Sequence, residues 1–190
     1  MKSNKIYIIA EIGVNHNGRL SLAKELIDEC KKAGADAVKF QTYSSDSICA
    51  KDTNQAPYQK DTQSCQSQYD MLRKYELTYD DFIKLNQYSA TKKIDFITTI
   101  TDINDIFFIT KVLKTKFIKL GSSDLTNIQL LLHLGQTNKK ILLSAGMSNI
   151  NHINTALSAL AYGNANKDFN FDIVKHSNYY KKNFTYINNK

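Results

Sequence analysis

The feature that most constrains the fold is a regular alternation of two kinds of segment along the chain. Short apolar runs of strand length recur, and stretches with apolar residues spaced three or four apart, as in amphipathic helices, lie between them. The predicted strands are Ile6–Ala10, Ala37–Phe40, Asp95–Thr99, Phe117–Leu120, Lys140–Leu143 and Phe171–Val174. Strands alternating with helices predict an α/β fold with a parallel sheet, either open and doubly wound or closed into a barrel.

The segments between these strands carry the helical pattern and its end signals. Helices are predicted around Leu22–Cys30, Tyr79–Thr91, Ile103–Leu113, Asn127–Leu134 and Ile150–Tyr162. The candidate N-caps are Asp102, Thr126 and Asn151, and Gly34 and Gly135 follow two of the helices. The polar stretch Thr42–Gln68, which holds the single proline, is predicted to be a loop after the second strand.

Length limits how many of these units the chain can hold. A complete eightfold barrel needs about 250 residues, and this chain has 190. If the sheet closes as a barrel, the chain therefore holds only part of the eight copies.

Charge and cysteine usage narrow the class of partner. The chain has 25 basic and 18 acidic residues and a net charge of +7, but the only arginines are Arg19 and Arg73 and the lysines are dispersed. This pattern disfavours nucleic acid and suits a small anionic substrate. The three cysteines have no CxxC spacing, and no apolar stretch is long enough for a signal peptide or a membrane span, so we expect a cytoplasmic protein with no membrane contact.

Polar side chains fall at the carboxyl end of each predicted strand, where parallel α/β folds bind their ligands. They are Glu11, Lys39, Gln41, Thr98, Thr99, Lys119, Ser122, Asp124, Ser144, His176 and Asn178. Lys39 and Lys119 lie within apolar strands, where an ammonium group is costly to bury without a counter-ion. Two such lysines can bind one phosphate or carboxylate. Taken singly, Glu11 could instead lead into a loop, and His16 could either belong to a turn or line the site.

Several segments are similar to the sialic acid synthases, the N-acetylneuraminate synthase family. Ile9–Gly18 and Gly34–Thr42 closely resemble the opening of that family, and Lys119–Asn127 and Ile141–Met147 resemble two later motifs in the same order. The resemblance implies a TIM barrel, and the length makes it an incomplete (β/α)8 barrel. About six βα units would span residues 1–190, without the last two units and the C-terminal antifreeze-like domain.

The resemblance also implies an activity. Members of the family condense phosphoenolpyruvate with N-acetylmannosamine or a related N-acyl amino sugar, releasing phosphate and forming a nine-carbon 2-keto acid for sialic acid and surface carbohydrate biosynthesis. A manganese or magnesium ion assists, and its histidine ligands are expected beyond this chain. The expected protein partner is a second copy in a homodimer or a complementing C-terminal chain. The alternative is a truncated, non-catalytic barrel remnant or the N-terminal piece of a split synthase.

Site residues carry over by position from the matching motifs. The residues that the resemblance assigns to catalysis are Glu11, Lys39 and Lys119. Those that it assigns to substrate binding are Gln41, Thr99, Ser122, Asp124, Ser144, Asn178 and Tyr180.

Overall fold

The computed structural model describes residues 6–54 and 67–165. These residues belong to two compact units. Unit 1 runs to Thr99 and includes Lys111–Lys116, and unit 2 comprises Ile100–Thr110 and the chain from Phe117 onward. The sixth predicted strand and the candidate residues His176, Asn178 and Tyr180 lie outside the described residues.

Unit 1 is built around three parallel strands that pair in chain order, β1 with β2 and β2 with β3. Its elements are β1 Ile9–Gly13, α1 Leu20–Lys32, β2 Ala37–Gln41, α2 Ser45–Ile48, α3 Gln68–Tyr75, α4 Tyr79–Thr91 and β3 Asp95–Ile100, whose last residue belongs to unit 2.

The core of unit 1 lies between the strands and the helices. Phe40 of β2 stacks on Phe96 of β3 with ring centroids 5.2 Å apart, and Phe96 meets Phe82 of α4 edge to face. Side chains alternate between the two faces of a strand. Because Phe40 points into this core, its neighbours Lys39 and Gln41 are carried on the opposite face of β2.

Unit 2 contains a parallel pair of strands, β4 and β5, with helices between and after them. Its elements are α5 Ile103–Phe107, β4 Phe117–Leu120, a 3-10 turn Ser122–Asp124, α6 Ile128–Gly135, β5 Lys140–Leu143 and α7 Ile150–Ala165. A π-helical stretch, Phe108–Leu113, follows α5, and its residues from Lys111 onward belong to unit 1. Glycines let α6 and α7 approach closely, since a Cβ on Gly163 would overlap the carbonyl of Leu132.

The structure corrects the predicted first strand. β1 begins at Ile9 and not at Ile6, because its ladder with β2 starts at the pair Ile9 and Ala37. Glu11 is therefore a residue within the strand and does not follow it. The apolar pattern marked the right region, but only pairing with β2 defines where the strand starts.

Two predicted helix caps are also wrong. Asn127, and not Thr126, caps α6 by accepting from the Leu130 N–H at 3.1 Å. Asn149, and not Asn151, accepts from the His152 N–H at 3.0 Å. Gly135 is the last residue of α6 instead of following it, whereas Asp102 caps α5 as predicted.

The predicted loop after β2 is partly helical, since it includes α2. The α/β class and the parallel strands are confirmed. The described residues contain five strands, and the number of βα units stays a prediction. No helix within the described ranges is long and apolar enough to cross a membrane.

Candidate active site

Unit 1 brings four of the predicted site residues to one face of its strands. Glu11 of β1 is the register partner of Lys39 of β2, and Gln41 is the partner of Thr99 of β3. Lys39 and Gln41 are two residues apart, so their side chains project from the same side of β2. Glu11, Lys39, Gln41 and Thr99 form the first strand-end group.

The centre of this group is an ion pair between the Glu11 carboxylate and the Lys39 ammonium. The Lys39 side chain is 16% exposed and that of Glu11 is 47% exposed. A lysine this far from water needs a counter-charge. The strand context of Lys39 indicated that need, and the structure identifies Glu11 as the residue that meets it.

Gly13 keeps the space beside this pair open. The ladder between β1 and β2 is irregular between Glu11 and Gly13, and Gly13 has a φ of +57°. A Cβ at this position would lie 3.2 Å from Glu11 Oε1 and 3.6 Å from Gln41 Nε2. Glu11 and Gln41 therefore both border a point that is open only because residue 13 is glycine.

A pair of buried hydroxyl groups supports the first strand-end group from the core side. The Thr42 and Thr98 hydroxyls are fully buried and lie 2.7 Å apart, and the Thr42 N–H donates to the Thr99 carbonyl at 3.0 Å. These contacts hold the ends of β2 and β3 together, next to Gln41 and Thr99. Sequence reasoning placed Thr98 at a strand end but did not find its partner, which is 56 residues away.

His16 belongs to the turn between β1 and α1. Its ring is buried, its Nδ1 accepts from the Gly18 N–H at 3.1 Å, and its centroid lies 6.0 Å from that of Phe40. Burial lowers the pKa of His16 from its ordinary value of 6.5, although an interaction with the Gly13 backbone opposes this shift. Of the two interpretations left open by the sequence, the structure favours the turn.

The chain after β2 is fixed by hydrogen bonds to α3 and the residue that follows it. Glu76 accepts from both the Ser45 N–H at 3.0 Å and the Ser45 hydroxyl at 2.5 Å. The Tyr43 hydroxyl donates to the Leu72 carbonyl at 2.9 Å, and burial raises the pKa of Tyr43. These contacts anchor the segment that directly follows Gln41.

Unit 2 carries the second strand-end group, which consists of Lys119, Ser122, Asp124 and Ser144. The Lys119 ammonium donates to the carbonyl of Leu120, and the Ser144 N–H donates to the same carbonyl at 3.2 Å. Ser122 and Asp124 lie in the 3-10 turn directly after β4. Lys119 and Ser144 are thus brought together at one main-chain oxygen. Whether Lys39 and Lys119 bind the same anion stays a prediction.

A cavity away from both strand-end groups lies in unit 2. It has a volume of about 580 Å³ and is lined by β5 and α7, including Ile141, Leu143, Leu157 and Leu160. None of the candidate site residues borders it, and its lining is mainly apolar. Its size therefore does not make it the candidate active site.

The described residues do not fit a metal centre. Over 6–54 and 67–165, no group of three or more His, Cys, Asp and Glu side chains is arranged to hold an ion. His133 and His152 both lie on helices, α6 and α7, within segments predicted to be helical.

Parallel strands whose carboxyl ends carry lysines, hydroxyls and an amide define an α/β protein with groups suited to binding a small anion. The model of the NeuB family matches residues 26–188. The chain belongs to the NeuB family, which confirms the resemblance to the sialic acid synthases.

Individual relatives agree with this assignment. The chain is 37% identical to the N,N'-diacetyllegionaminic acid synthase of Legionella pneumophila, over 86% of this chain and 46% of that protein. It is 36% identical to the synthase of the same name from Campylobacter jejuni, over 98% of this chain and 55% of that protein. The chain thus spans about half the length of these curated relatives.

A solved structure shares the fold. The sialic acid synthetase of Leptospira borgpetersenii, crystallised with citrate, superposes with a TM-score of 0.72 at 29% identity, covering 85% of this chain and 52% of that one. This likeness supports the barrel architecture that the family resemblance implies.

Proposed function

We propose that this chain carries the phosphoenolpyruvate-binding part of a sialic-acid-type synthase. The observation that supports this most directly is the half-buried Lys39 on the open face of β2, beside Glu11 and Gln41. An ammonium group held in a strand and next to an amide is suited to a phosphate or carboxylate. The family membership supplies the chemical class of that anion.

In the proposed reaction, the enol carbon of phosphoenolpyruvate forms a bond to the aldehyde carbon of an N-acyl amino sugar. Water adds at C2 and phosphate leaves, giving a 2-keto acid. Positive charge develops at C2, where a nearby carboxylate stabilises it, and fixed donors around the phosphate stabilise the negative charge that the leaving group takes with it. Holding the two reacting carbons in line contributes a further large part of the rate.

Each residue has a proposed part in this reaction. Lys39 and Lys119 bind the phosphoenolpyruvate anion, and Glu11 lies near the reacting carbons, where its carboxylate stabilises C2 or orients the water. Gln41, Thr99, Ser122 and Ser144 donate hydrogen bonds to the anion, and Asp124 contacts the sugar. Asn178 and Tyr180 are proposed as further binding residues from the family resemblance alone.

The substrate sugar is proposed at the level of its class. The names of the relatives from Legionella pneumophila and Campylobacter jejuni point to a diacetylated sugar of the legionaminic acid type, with N-acetylmannosamine as the alternative. Manganese or magnesium, a homodimer or complementing chain, and a cytoplasmic location remain predictions from the family resemblance and the sequence.

Measuring the binding of phosphoenolpyruvate by titration calorimetry tests the proposal. We expect the chain to bind this ligand and both Lys39→Met and Lys119→Met to weaken binding by about a hundredfold, the loss typical of a charged hydrogen bond to an anion. Lys111→Met is the matched control, since Lys111 is exposed, lies in the π-helical stretch and is a member of neither strand-end group. Equal affinities for all four proteins would contradict the proposed anion site.

Turnover is tested separately by release of phosphate from phosphoenolpyruvate with N-acetylmannosamine or its diacetylated analogue and manganese. Sugar-dependent release by the chain would establish the complete reaction. Binding without release would restrict the chain to the binding part of the activity.

A further inference from the structure

We propose that Glu11 is an internal competitor of the anionic substrate, so that its carboxylate must leave Lys39 before phosphoenolpyruvate can bind there. This inference rests on the proposed function, because it concerns the same lysine. It adds a property that family membership does not supply: the affinity for the anion is reduced by a residue of the site itself.

The backbone makes the competition direct. Glu11 and Lys39 are register partners on adjacent parallel strands, and their side chains meet in an ion pair. Glu11 Oε1 and Gln41 Nε2 both lie within 4 Å of the point where a Cβ of Gly13 would be. The carboxylate thus pairs with the ammonium group and borders the same open point as the Gln41 amide, and these are the two groups that the proposed function assigns to the substrate anion.

The two partners differ in how easily they can leave the pair. The Glu11 side chain is 47% exposed and can turn towards water, whereas the Lys39 side chain is only 16% exposed and begins in the middle of β2. A carboxylate that reaches water regains its hydration, but an ammonium left without a counter-charge in this position does not. Lys39 therefore stays in place, and the substrate anion replaces the Glu11 carboxylate as its partner.

Charge repulsion keeps both anions from sharing the lysine. Phosphoenolpyruvate carries a phosphate and a carboxylate, and both repel a second carboxylate that is bound to the same ammonium group. Substrate binding thus includes the free energy of breaking the Glu11 pair. Removing the charge of Glu11 should remove this contribution, even though Glu11 faces the substrate in the proposed reaction.

Glu11→Gln tests the inference by titration calorimetry of the full chain with phosphoenolpyruvate. We expect about tenfold tighter binding, which corresponds to the coupling of one partly exposed charge pair. The matched control is Glu29→Gln, which removes an exposed carboxylate paired with Lys32 on α1 and should leave the affinity unchanged. Tighter binding in Glu11→Gln alone supports the competition, and unchanged or weaker binding overturns it.

Two further variants keep the test decisive. If Glu11→Gln does not fold, as judged by circular dichroism, Glu11→Asp decides in its place: affinity above wild type supports the inference, and affinity equal to wild type or lower overturns it. Lys39→Met separates the two proposals. If it abolishes binding while Glu11→Gln does not tighten it, only the competition fails. If neither wild type nor Glu11→Gln binds the ligand, the proposed anion site fails and the competition with it.

Discussion

The two strand-end groups hold the same kind of residue in different ways. Lys39 and Lys119 both lie within short apolar strands, and both are half-buried. Lys39 is neutralised by a carboxylate on the neighbouring strand, whereas Lys119 donates to the main-chain carbonyl of Leu120. A carboxylate competes with an incoming anion as a full charge, and a carbonyl competes only as a dipole.

The two groups also differ in what surrounds them, which is mainly side chains for the first group and main-chain atoms for the second. Side chains support the first group, since Thr42 and Thr98 are buried behind it and His16 fills the adjoining turn. The second group is linked through the main chain, where Leu120 accepts from Ser144. We therefore expect substitutions around the first group to cost more stability than matched substitutions around the second.

The largest difference in stability is expected between Gly13→Ala and Gly146→Ala. Gly13 has a φ of +57° and a Cβ there would press on Glu11, whereas a Cβ on Gly146 would have no atom within 4 Å. We expect a loss of about 1–3 kcal/mol for Gly13→Ala and less than about 0.5 kcal/mol for Gly146→Ala. Urea unfolding measures both, and equal losses would remove the distinction between the two groups.

The buried hydroxyl pair gives a smaller effect. Thr98→Val removes the hydrogen bond between the two buried hydroxyls, and should lower the free energy of unfolding by about 1–2 kcal/mol. Ser144→Ala, at a half-buried position in the second group, should cost less. The double variant Thr42→Val with Thr98→Val should cost less than the sum of the single variants, because each single variant already removes the hydrogen bond between the two hydroxyls. Additive losses, measured in urea, would show that the pair does not act as a unit.

The sequence could predict the bounds of several elements, but not the contacts that support the two groups. The bounds of β4 and β5 agree with the apolar pattern, as do those of α4 from Tyr79 to Thr91. The bounds of these strands and of this helix depend on residues that are neighbours in the chain, and a pattern of spacing contains that information. The positions of Lys39 within β2 and of Gln41 at its end were predictable for the same reason.

The contacts between these elements were not predictable in that way. The Glu11 and Lys39 pair depends on the register of β1 against β2, and a shift of one residue would turn Glu11 to the other face. The partner of Thr98 is likewise set by how β2 lies beside β3. The residues of the first group were thus predicted, but the contact between two of them and the support behind them were not.

The smallest predicted effect is a pH dependence that comes from His16. Because burial lowers its pKa below the ordinary value of 6.5, the folded protein binds fewer protons than the unfolded chain once the pH falls below that value. The unfolding free energy should therefore decrease as the pH falls from 7.5 to 5.5, and should be insensitive to His16 above pH 7.5.

His16→Asn, which keeps an acceptor for the Gly18 N–H, should flatten this slope in urea unfolding. His152→Asn, at an exposed position in α7, should retain it. A slope in His16→Asn as steep as that of the wild type would mean that this buried turn does not favour the neutral imidazole, and that the first group lacks this support.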